Sequence, residues 1–270
     1  MERIRANKFM NFMTRGATRP FLVEDEKNLK WVVKVIGNPF GAQAVFNELI
    51  AGRLAELIGL PWPRVAIVEL SANIVDTIGR NGLNATSQIA VGTEYIFGLT
   101  PGEFPDDFDI ADKTKNASYI HRLFPNDKMI ESFYGKSIFD NWILLLNDTK
   151  YDTLQISPNG EPIFLDATFA LGYFDTDWEE GKLFWRDTAL NLELSPYLSG
   201  VVTDTGRYQN WIKNISNISR EDIDKILHSI PIEWAVPDRY LSALRQFIGS
   251  TPEVFVPLFK DYLDFMNYAG

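Results

Sequence analysis

The chain has 270 residues, of which 46% are hydrophobic and 13% aromatic, so it can bury a large core as one large domain or as two lobes that share a cleft. Its net charge of −10 argues against a broad nucleic-acid-binding surface or a surface for anionic membranes. The absence of cysteine excludes a disulfide framework, a thiol nucleophile and a cysteine-built zinc site.

No segment of the sequence has the pattern of a membrane anchor or a secretory leader. The N-terminal sequence MERIRANKFMNFMTRG is basic and lacks a continuous apolar core of secretory length. No later run approaches the ~18 apolar residues that a spanning helix requires. We therefore expect a cytoplasmic protein that does not bind membranes.

The N-terminal part of the chain is rich in strand patterns. FLVEDEKNLKWVVKVIG predicts two short strands joined by a charged turn. Apolar residues between Val45 and Ile58 then recur at helical spacing, and Gly59 and Pro61 predict where this helix ends. RVAIVEL and AVGTEYIF predict two further strands. A segment rich in proline, glycine and acidic residues follows, so we place a domain boundary there, between residues 1–100 and 101–270.

The C-terminal part is richer in helix. ESFYGKSIFDNWILLL predicts a buried helix, and TLQIS and EPIFLD predict a hairpin around PNG. Residues 175–206 predict a long irregular region. SREDIDKILHSI predicts a helix that begins at the N-cap Ser219, with Asp222 three residues on.

This order of elements, with a lysine in one strand and a glutamate in the next helix, is shared by protein-kinase-like phosphotransferases. Lys34 lies between apolar residues in VVKV, so its ammonium group needs an anionic partner. Glu48 is the predicted partner, since it lies on the following helix beside the small residues Ala51, Gly52 and Ala55, which permit close approach to a sheet. Such a pair would position the lysine for the α- and β-phosphates of ATP. The alternative is an edge-strand lysine and a solvated glutamate.

Gly16 and Ala17 precede the FLV strand, where their backbone NH groups could approach phosphate oxygens. A tight turn explains the glycine equally well, and the full glycine-rich kinase loop pattern is absent.

Two aspartates flank the predicted hairpin. Asp148 follows the helix IFDNWILLL, and Asp166 ends the strand PIFLD 18 residues later. Because a hairpin brings its end back close to its beginning, both carboxylates could face one site. Asp148 could orient or deprotonate a substrate hydroxyl, and Asp166 could bind Mg²⁺. The alternative is that both aspartates only form turns.

The sequence resembles the HipA-like kinases from about Thr14 to Trp234. The similar segments are WVVKVIGNPFGAQAVFNELIAGRLAELIGLPWPRVAIVEL, VGTEYIF, SIFDNWILLLNDTKYDTL, IFLDATFALG and IPIEW. The resemblance implies an α+β, bilobal protein-kinase-like fold with a strand-rich N-lobe and a helical C-lobe. It also implies that the protein uses ATP with Mg²⁺ to phosphorylate serine or threonine on a protein, often in a toxin-antitoxin setting with a partner antitoxin.

The resemblance assigns roles to individual residues. Lys34 matches the nucleotide-binding lysine and Glu48 its helix partner. Glu94, Tyr95 and Ile96 match the adenine-side linker, Asp148 the catalytic aspartate and Asp166 the metal-binding aspartate.

The catalytic loop departs from the family pattern Asp-Arg-His-x-x-Asn. Asp148 is followed by Thr149, Lys150, Tyr151, Asp152 and Thr153, so Thr153 replaces the asparagine. A hydroxyl can still bind Mg²⁺, and Asp152 could substitute for it. The preceding tryptophan stands one residue further from Asp148 than expected, so Asn147 could occupy the catalytic position.

Three functional hypotheses follow. The first is an active Ser/Thr kinase, in which Lys34, Asp148 and Asp166 converge. The second is a nucleotide-binding pseudokinase that acts as a partner-binding module. The third is a small-molecule phosphotransferase, for which the acidic segments EFPDDFDIAD and DTDWEEG could bind a cationic substrate.

Overall fold

The computed structural model has a mixed α+β fold that begins with a closed five-stranded barrel. It describes residues 2–14, 16–101, 111–145, 153–172, 178–180, 183 and 190–269. The barrel strands are β1 (Arg3–Phe12), β2 (Phe21–Asp25), β3 (Lys30–Lys34), β4 (Val65–Leu70) and β5 (Ile89–Glu94). Their order is β1-β2-β3-β5-β4. A parallel pairing of β1 with β4 closes the barrel, and the other neighbours are antiparallel.

Alternation along β3 decides which of its side chains face the barrel core. Trp31 and Val33 are fully buried in the barrel core, together with Phe21 and Val23 of β2. Because successive side chains of a strand point to opposite faces, Lys34 lies on the outer face of the barrel. Its side chain can therefore contact the elements that pack against the outside of the barrel.

Two helices connect the barrel strands. Helix α1 (Gly41–Ile58) joins β3 to β4, and α2 (Ala72–Arg80) joins β4 to β5. As predicted, α1 ends at Gly59, which has the left-handed φ of 77° that favours glycine at a helix C-terminus. Residues along most of α1 are buried, and its apolar side chains belong to the same core cluster as those of the C-terminal helices.

The remaining chain adds a small sheet and six α-helices among the described residues. The sheet contains β6 (Thr100–Pro101), β7 (Leu154–Ile156) and β8 (Pro162–Phe164), in the order β6-β7-β8. The helices are α3 (Lys113–Leu123), α4 (Asp127–Trp142), α5 (Gln209–Ser216), α6 (Arg220–His228), α7 (Asp238–Gly249) and α8 (Val256–Ala269). None of the described helices is both long enough and apolar enough to cross a membrane.

Most predicted elements are confirmed. The hairpin of β2 and β3, the hairpin of β7 and β8, and the capping box of Ser219 and Asp222 at α6 are all present. β1 was missed because Ile4 and Ala6 are its only buried residues, and they alternate with the charged residues Arg3 and Arg5. The region predicted to be irregular, 175–206, is described only at 178–180, 183 and 190–206.

Gly52 allows the close contact between α1 and β4 that the small-residue pattern predicts. A Cβ atom at Gly52 would lie 2.4 Å from Cγ1 of Val65. That distance is far below van der Waals contact, so any larger side chain must displace the strand or the helix.

We predict that Gly52→Ala lowers the free energy of unfolding by about 1–2 kcal/mol, because overpacking outweighs the gain in helix propensity. The matched control is Gly79→Ala in α2, where an added Cβ meets no atom within 4 Å. The control should raise the unfolding free energy by up to about 1 kcal/mol. Denaturant titration measures both, and a Gly52→Ala protein as stable as wild type would contradict the close packing.

Candidate functional site

The predicted ion pair between Lys34 and Glu48 is present, and it is part of a four-residue cluster. Lys34 Nζ contacts Glu48 Oε1, lies 3.1 Å from Asp166 Oδ1 and donates to Thr168 Oγ1 at 3.0 Å. The Thr168 hydroxyl lies 2.7 Å from Asp166 Oδ1, to which it donates. The exposed fractions of the Lys34, Glu48 and Asp166 side chains are 12%, 3% and 29%. One ammonium group is thus shared by two carboxylates with little water around them.

The strand pairing of the small sheet brings Asp166 to the barrel. Leu165 N donates to Thr153 O at 2.8 Å, which extends the pairing of β7 with β8. Phe164 N donates to Pro61 O at 2.9 Å, so β8 is attached to the turn that follows α1. Since Glu48 lies on α1, the same attachment places Asp166 next to the Lys34–Glu48 pair.

The backbone at Asp166 has a left-handed conformation. Its φ is 63°, which is uncommon outside glycine but tolerated best by Asp and Asn. Asp166 Oδ1 accepts a hydrogen bond from Thr168 N at 3.1 Å, an Asx turn. Ala167 N donates to Glu48 Oε1 at 3.1 Å. These bonds offset the cost of the unusual backbone angle and fix the carboxylate towards Lys34.

Burial and charge act in opposite directions on the two ionised partners. Burial alone would lower the pKa of Lys34, but the carboxylates of Asp166 and Glu48 raise this pKa above its usual range. Burial and the nearby charge of Asp166 raise the pKa of Glu48 to about 7, although Lys34 acts to lower it. When Glu48, Asp166 and Lys34 are all ionised, the two carboxylates outnumber the one ammonium group, and the cluster has a net negative charge.

Gly16 and Ala17 are exposed and lie in the connection from β1 to β2. Gly16 has a φ of 109°, and its carbonyl accepts from Arg19 N at 3.0 Å. A Cβ at Gly16 would lie 2.8 Å from the ring of Pro20. These contacts are those of a tight turn, and the amides' approach to phosphate stays a prediction.

Glu94 and Tyr95 take part in strand pairing at the end of β5. Glu94 forms a two-point ion pair with Arg64, with distances of 2.8 and 3.0 Å, and Tyr95 N donates to Lys30 O at 2.9 Å. Lys34 pairs with Val91, three residues before Glu94, which is about 10 Å along the strand. The role of Glu94, Tyr95 and Ile96 as the adenine-side linker therefore stays a prediction.

Of the predicted catalytic-loop residues, the structure describes only Thr153. This residue is buried and pairs through its carbonyl with Leu165, directly before Asp166. Asp148, together with Asn147 and Asp152, lies outside the described residues. Over the described part of the chain, no group of three or more His, Asp or Glu side chains could hold a metal ion.

Sequence reasoning missed Thr168 and Asn47. Thr168 is 3% exposed, and its hydroxyl touches Lys34 and Asp166. The spacing Asp-x-Thr is a pattern of Asx turns and could have indicated this contact. Asn47 is fully buried and binds the segment that follows Asp166. No local pattern indicates its contacts, because they join residues more than a hundred positions apart.

A large cavity among the described residues lies away from this cluster. A cavity of about 1010 Å³ lies between α1 and α6, lined by residues that include Arg53, Glu56, Asp224 and His228. It contains none of the predicted site residues. The convergence of Lys34, Glu48 and Asp166 is the stronger evidence for a functional site, because buried ionised groups are costly unless they serve one another or a ligand.

Comparison with known proteins gives a consistent result. Residues 7–119 match the HipA-like kinase family, so the predicted resemblance is confirmed over the part of the chain that carries Lys34 and Glu48. The crystal structure of the Helicobacter pylori proinflammatory kinase CtkA is similar, with a TM-score of 0.60 and 10% sequence identity. The alignment covers 98% of this chain and 99% of that kinase, so the likeness in fold extends over both chains. No curated protein sequence matches the chain at a significant level.

We predict that Glu48 makes the stability of the protein depend on pH. Its pKa is about 7 in the folded state, above its ordinary value of 4.5, so between these pH values the folded protein retains a proton that the unfolded chain releases. The stabilisation from this proton is complete below about pH 4.5 and is lost as the pH rises through about 7. Glu48→Gln should therefore show a smaller fall in unfolding free energy across this interval.

The measurement is denaturant titration at several pH values. Glu221→Gln is the control, because Glu221 is an exposed partner of Lys225 and should leave the wild-type slope unchanged. Parallel curves for wild type and Glu48→Gln would show that Glu48 titrates at its ordinary pKa.

Proposed function

We propose that this protein is a HipA-like kinase that uses ATP and Mg²⁺ to phosphorylate serine or threonine on a protein substrate. The observation that carries the proposal is the convergence of Lys34, Glu48 and Asp166 from β3, α1 and the residues after β8. In this proposal residues 1–100 form an N-lobe, residues 101–270 form a C-lobe, and the cluster lies between them. The fold similarity to a kinase over nearly the whole chain supports this arrangement.

Lys34 is proposed to bind the α- and β-phosphates of ATP, with Glu48 holding its ammonium group in place. The 3% exposure of the Glu48 side chain supports a fixed orientation, since a buried carboxylate has few alternative partners. Phosphates would then compete with Asp166 for the ammonium group, which frees Asp166 for a metal ion.

The charge of the cluster suits a divalent cation. Two carboxylates share one ammonium group, and Asp166 is the more exposed carboxylate, so Mg²⁺ entering from solvent would meet Asp166 first. Mg²⁺ commonly takes one or two protein carboxylates and completes its shell with phosphate oxygens and water. Thr153, whose backbone pairs beside Asp166, is the proposed second protein ligand. The metal ion would neutralise phosphate charge during transfer.

Asp148 is proposed to accept the proton of the attacking hydroxyl. The hydroxyl oxygen bonds to the γ-phosphorus, the bond from this phosphorus to the bridging oxygen breaks, and ADP leaves. Positioning and charge stabilisation carry most of this reaction, so it tolerates the replacement of the usual asparagine by Thr153 at a reduced rate. Glu94 to Ile96 would border the adenine, and Gly16 and Ala17 would approach the phosphates.

A second candidate is a nucleotide-binding pseudokinase that acts through a partner protein. The threonine at position 153 favours it, because one metal ligand of the family pattern is changed. A partner antitoxin fits either candidate. A small-molecule phosphotransferase would use the same residues and is distinguished by the acceptor of the phosphate.

We predict that Mg-ATP stabilises the protein. At a hundred times its dissociation constant the nucleotide should add about 2.7 kcal/mol to the free energy of unfolding. Asp166→Asn should remove the Mg²⁺-dependent part of this gain, whereas the control Lys225→Met at an exposed surface site should keep all of it. Thermal unfolding and calorimetry measure the effect, and an unchanged melting temperature with no heat of binding would exclude a nucleotide site.

We further predict weak phosphate transfer through Asp148. Asp148→Asn should abolish transfer while ATP affinity stays nearly intact, and Thr153→Asn should raise the rate by restoring the family's metal ligand. The measurement is single-turnover transfer from labelled ATP to added proteins and to cationic small molecules such as aminoglycosides. The recipient of the label separates a protein kinase from a small-molecule phosphotransferase.

The outcomes of this assay decide between the two candidates. Equal inactivity of wild type and Asp148→Asn, with ATP bound by both, would establish the pseudokinase. Activity created by Asn147→Asp would show that position 147, and not 148, is the catalytic position.

A further inference from the structure

Asn47 connects α1 to the chain segment that follows Asp166. Its side chain is fully buried, and its Nδ2 atom donates to Thr168 O at 3.0 Å and to Ala170 O at 2.8 Å. Both carbonyls belong to the four residues after Asp166. One side chain therefore fixes the backbone of this segment at two points.

These two bonds determine the orientation of the amide. If the amide were rotated by half a turn, its oxygen would face two carbonyl oxygens, which cannot donate. In the observed orientation Oδ1 has no hydrogen-bond partner within the described part of the chain. Asn47 thus acts as a hydrogen-bond donor, and both bonds from its Nδ2 atom go to the segment after Asp166.

Asn47 belongs to a polar row on α1, formed by Gln43, Asn47 and Glu48, whose side chains bind the backbone of residues 167–170 and of Trp178. Gln43 lies four residues earlier, on the same helix face, and its Oε1 accepts from Trp178 N at 2.7 Å. Glu48 accepts from Ala167 N at 3.1 Å. The row therefore binds the backbone directly after Asp166 and again at Trp178.

The conformation of Asp166 needs such support. A non-glycine residue at a φ of 63° costs free energy and persists only where the surrounding structure determines it. The carbonyls that Asn47 binds are two and four residues beyond Asp166. Without these bonds the segment can relax, and the Asp166 carboxylate can turn away from Lys34.

We propose that Asn47 is a positioning residue for Asp166, which keeps the carboxylate in the orientation that binds Mg²⁺. Asn47 acts through the backbone of residues 167–170, to which both of its hydrogen bonds go. The effect on Mg²⁺ binding rests on the proposed function. The effect of Asn47 on the backbone of residues 167–170 does not depend on it.

The test compares Asn47→Ala with a matched control, Asn116→Ala. Asn116 is also a fully buried asparagine, and its Nδ2 donates to the carbonyls of Pro196 and Ser199. It lies on α3 and contacts no residue of the charged cluster in the described structure. Both variants remove two hydrogen bonds and leave a similar cavity, so both should lose comparable stability.

The first measurement is amide hydrogen exchange of a peptide that spans residues 165–172, without any ligand. Loss of two hydrogen bonds should speed exchange there about tenfold in Asn47→Ala. Asn116→Ala should leave this peptide at the wild-type rate. Equal protection of the peptide in wild type and Asn47→Ala would overturn the proposal.

The second measurement is the ratio of ADP dissociation constants without and with Mg²⁺. Asn47→Ala should bring this ratio close to one, whereas Asn116→Ala should keep the wild-type ratio. An unchanged ratio in Asn47→Ala would show that Asn47 is only structural. If wild type itself shows no Mg²⁺-dependent binding, the proposed function fails, and hydrogen exchange still decides whether Asn47 holds the segment.

A second variant covers the case in which Asn47→Ala does not fold. Asn47→Ser retains one donor and should give intermediate values in both measurements. Wild-type exchange and a wild-type Mg²⁺ ratio in Asn47→Ser, together with unfolded Asn47→Ala, would assign Asn47 to folding alone.

Discussion

The burial of the Lys34 ammonium group is the constraint on which the arrangement of this chain depends. An ammonium group removed from water needs carboxylates within contact distance, and its sequence neighbours Val33 and Val35 supply none. Glu48 supplies one from α1, and Asp166 supplies another from the residues after β8, far along the sequence. The barrel must therefore pack against the small sheet before the Lys34 ammonium group has both of its carboxylate partners.

Helix α1 is the element through which this contact is made. On one side Gly52 brings it against Val65 of the barrel, and on another its polar row binds the segment after Asp166. Its C-terminus is tied to the helical part by Asn214 Nδ2, which donates to Ile58 O at 3.0 Å. Its nearly complete burial follows from these contacts on several sides. A movement of α1 would disturb the barrel, the charged cluster and the segment together.

A second buried charge pair organises the helical part. Lys136 and Asp140 are both fully buried on α4, with 2.5 Å between Nζ and Oδ1, and Ser195 Oγ donates to Asp140 Oδ2 at 2.9 Å. Asn141 adds two bonds to the backbone of Asn191. These contacts attach the irregular chain around residues 191–195 to α4.

The sequence alone determined the features that depend on neighbouring residues. The β-branched and aromatic run of β3, the helical spacing up to Gly59 and the capping pattern at Ser219 are local, and each element is found where it was predicted. The pairing of Lys34 with Glu48 followed from one strand, one helix and the small residues beside them. Closure of the barrel by β1, the hydroxyl of Thr168 between Lys34 and Asp166, and the bonds from Asn47 were decided only by the tertiary structure. They join positions 64 to 134 residues apart, and such contacts leave no periodic pattern because their free energy arises only when distant segments pack together.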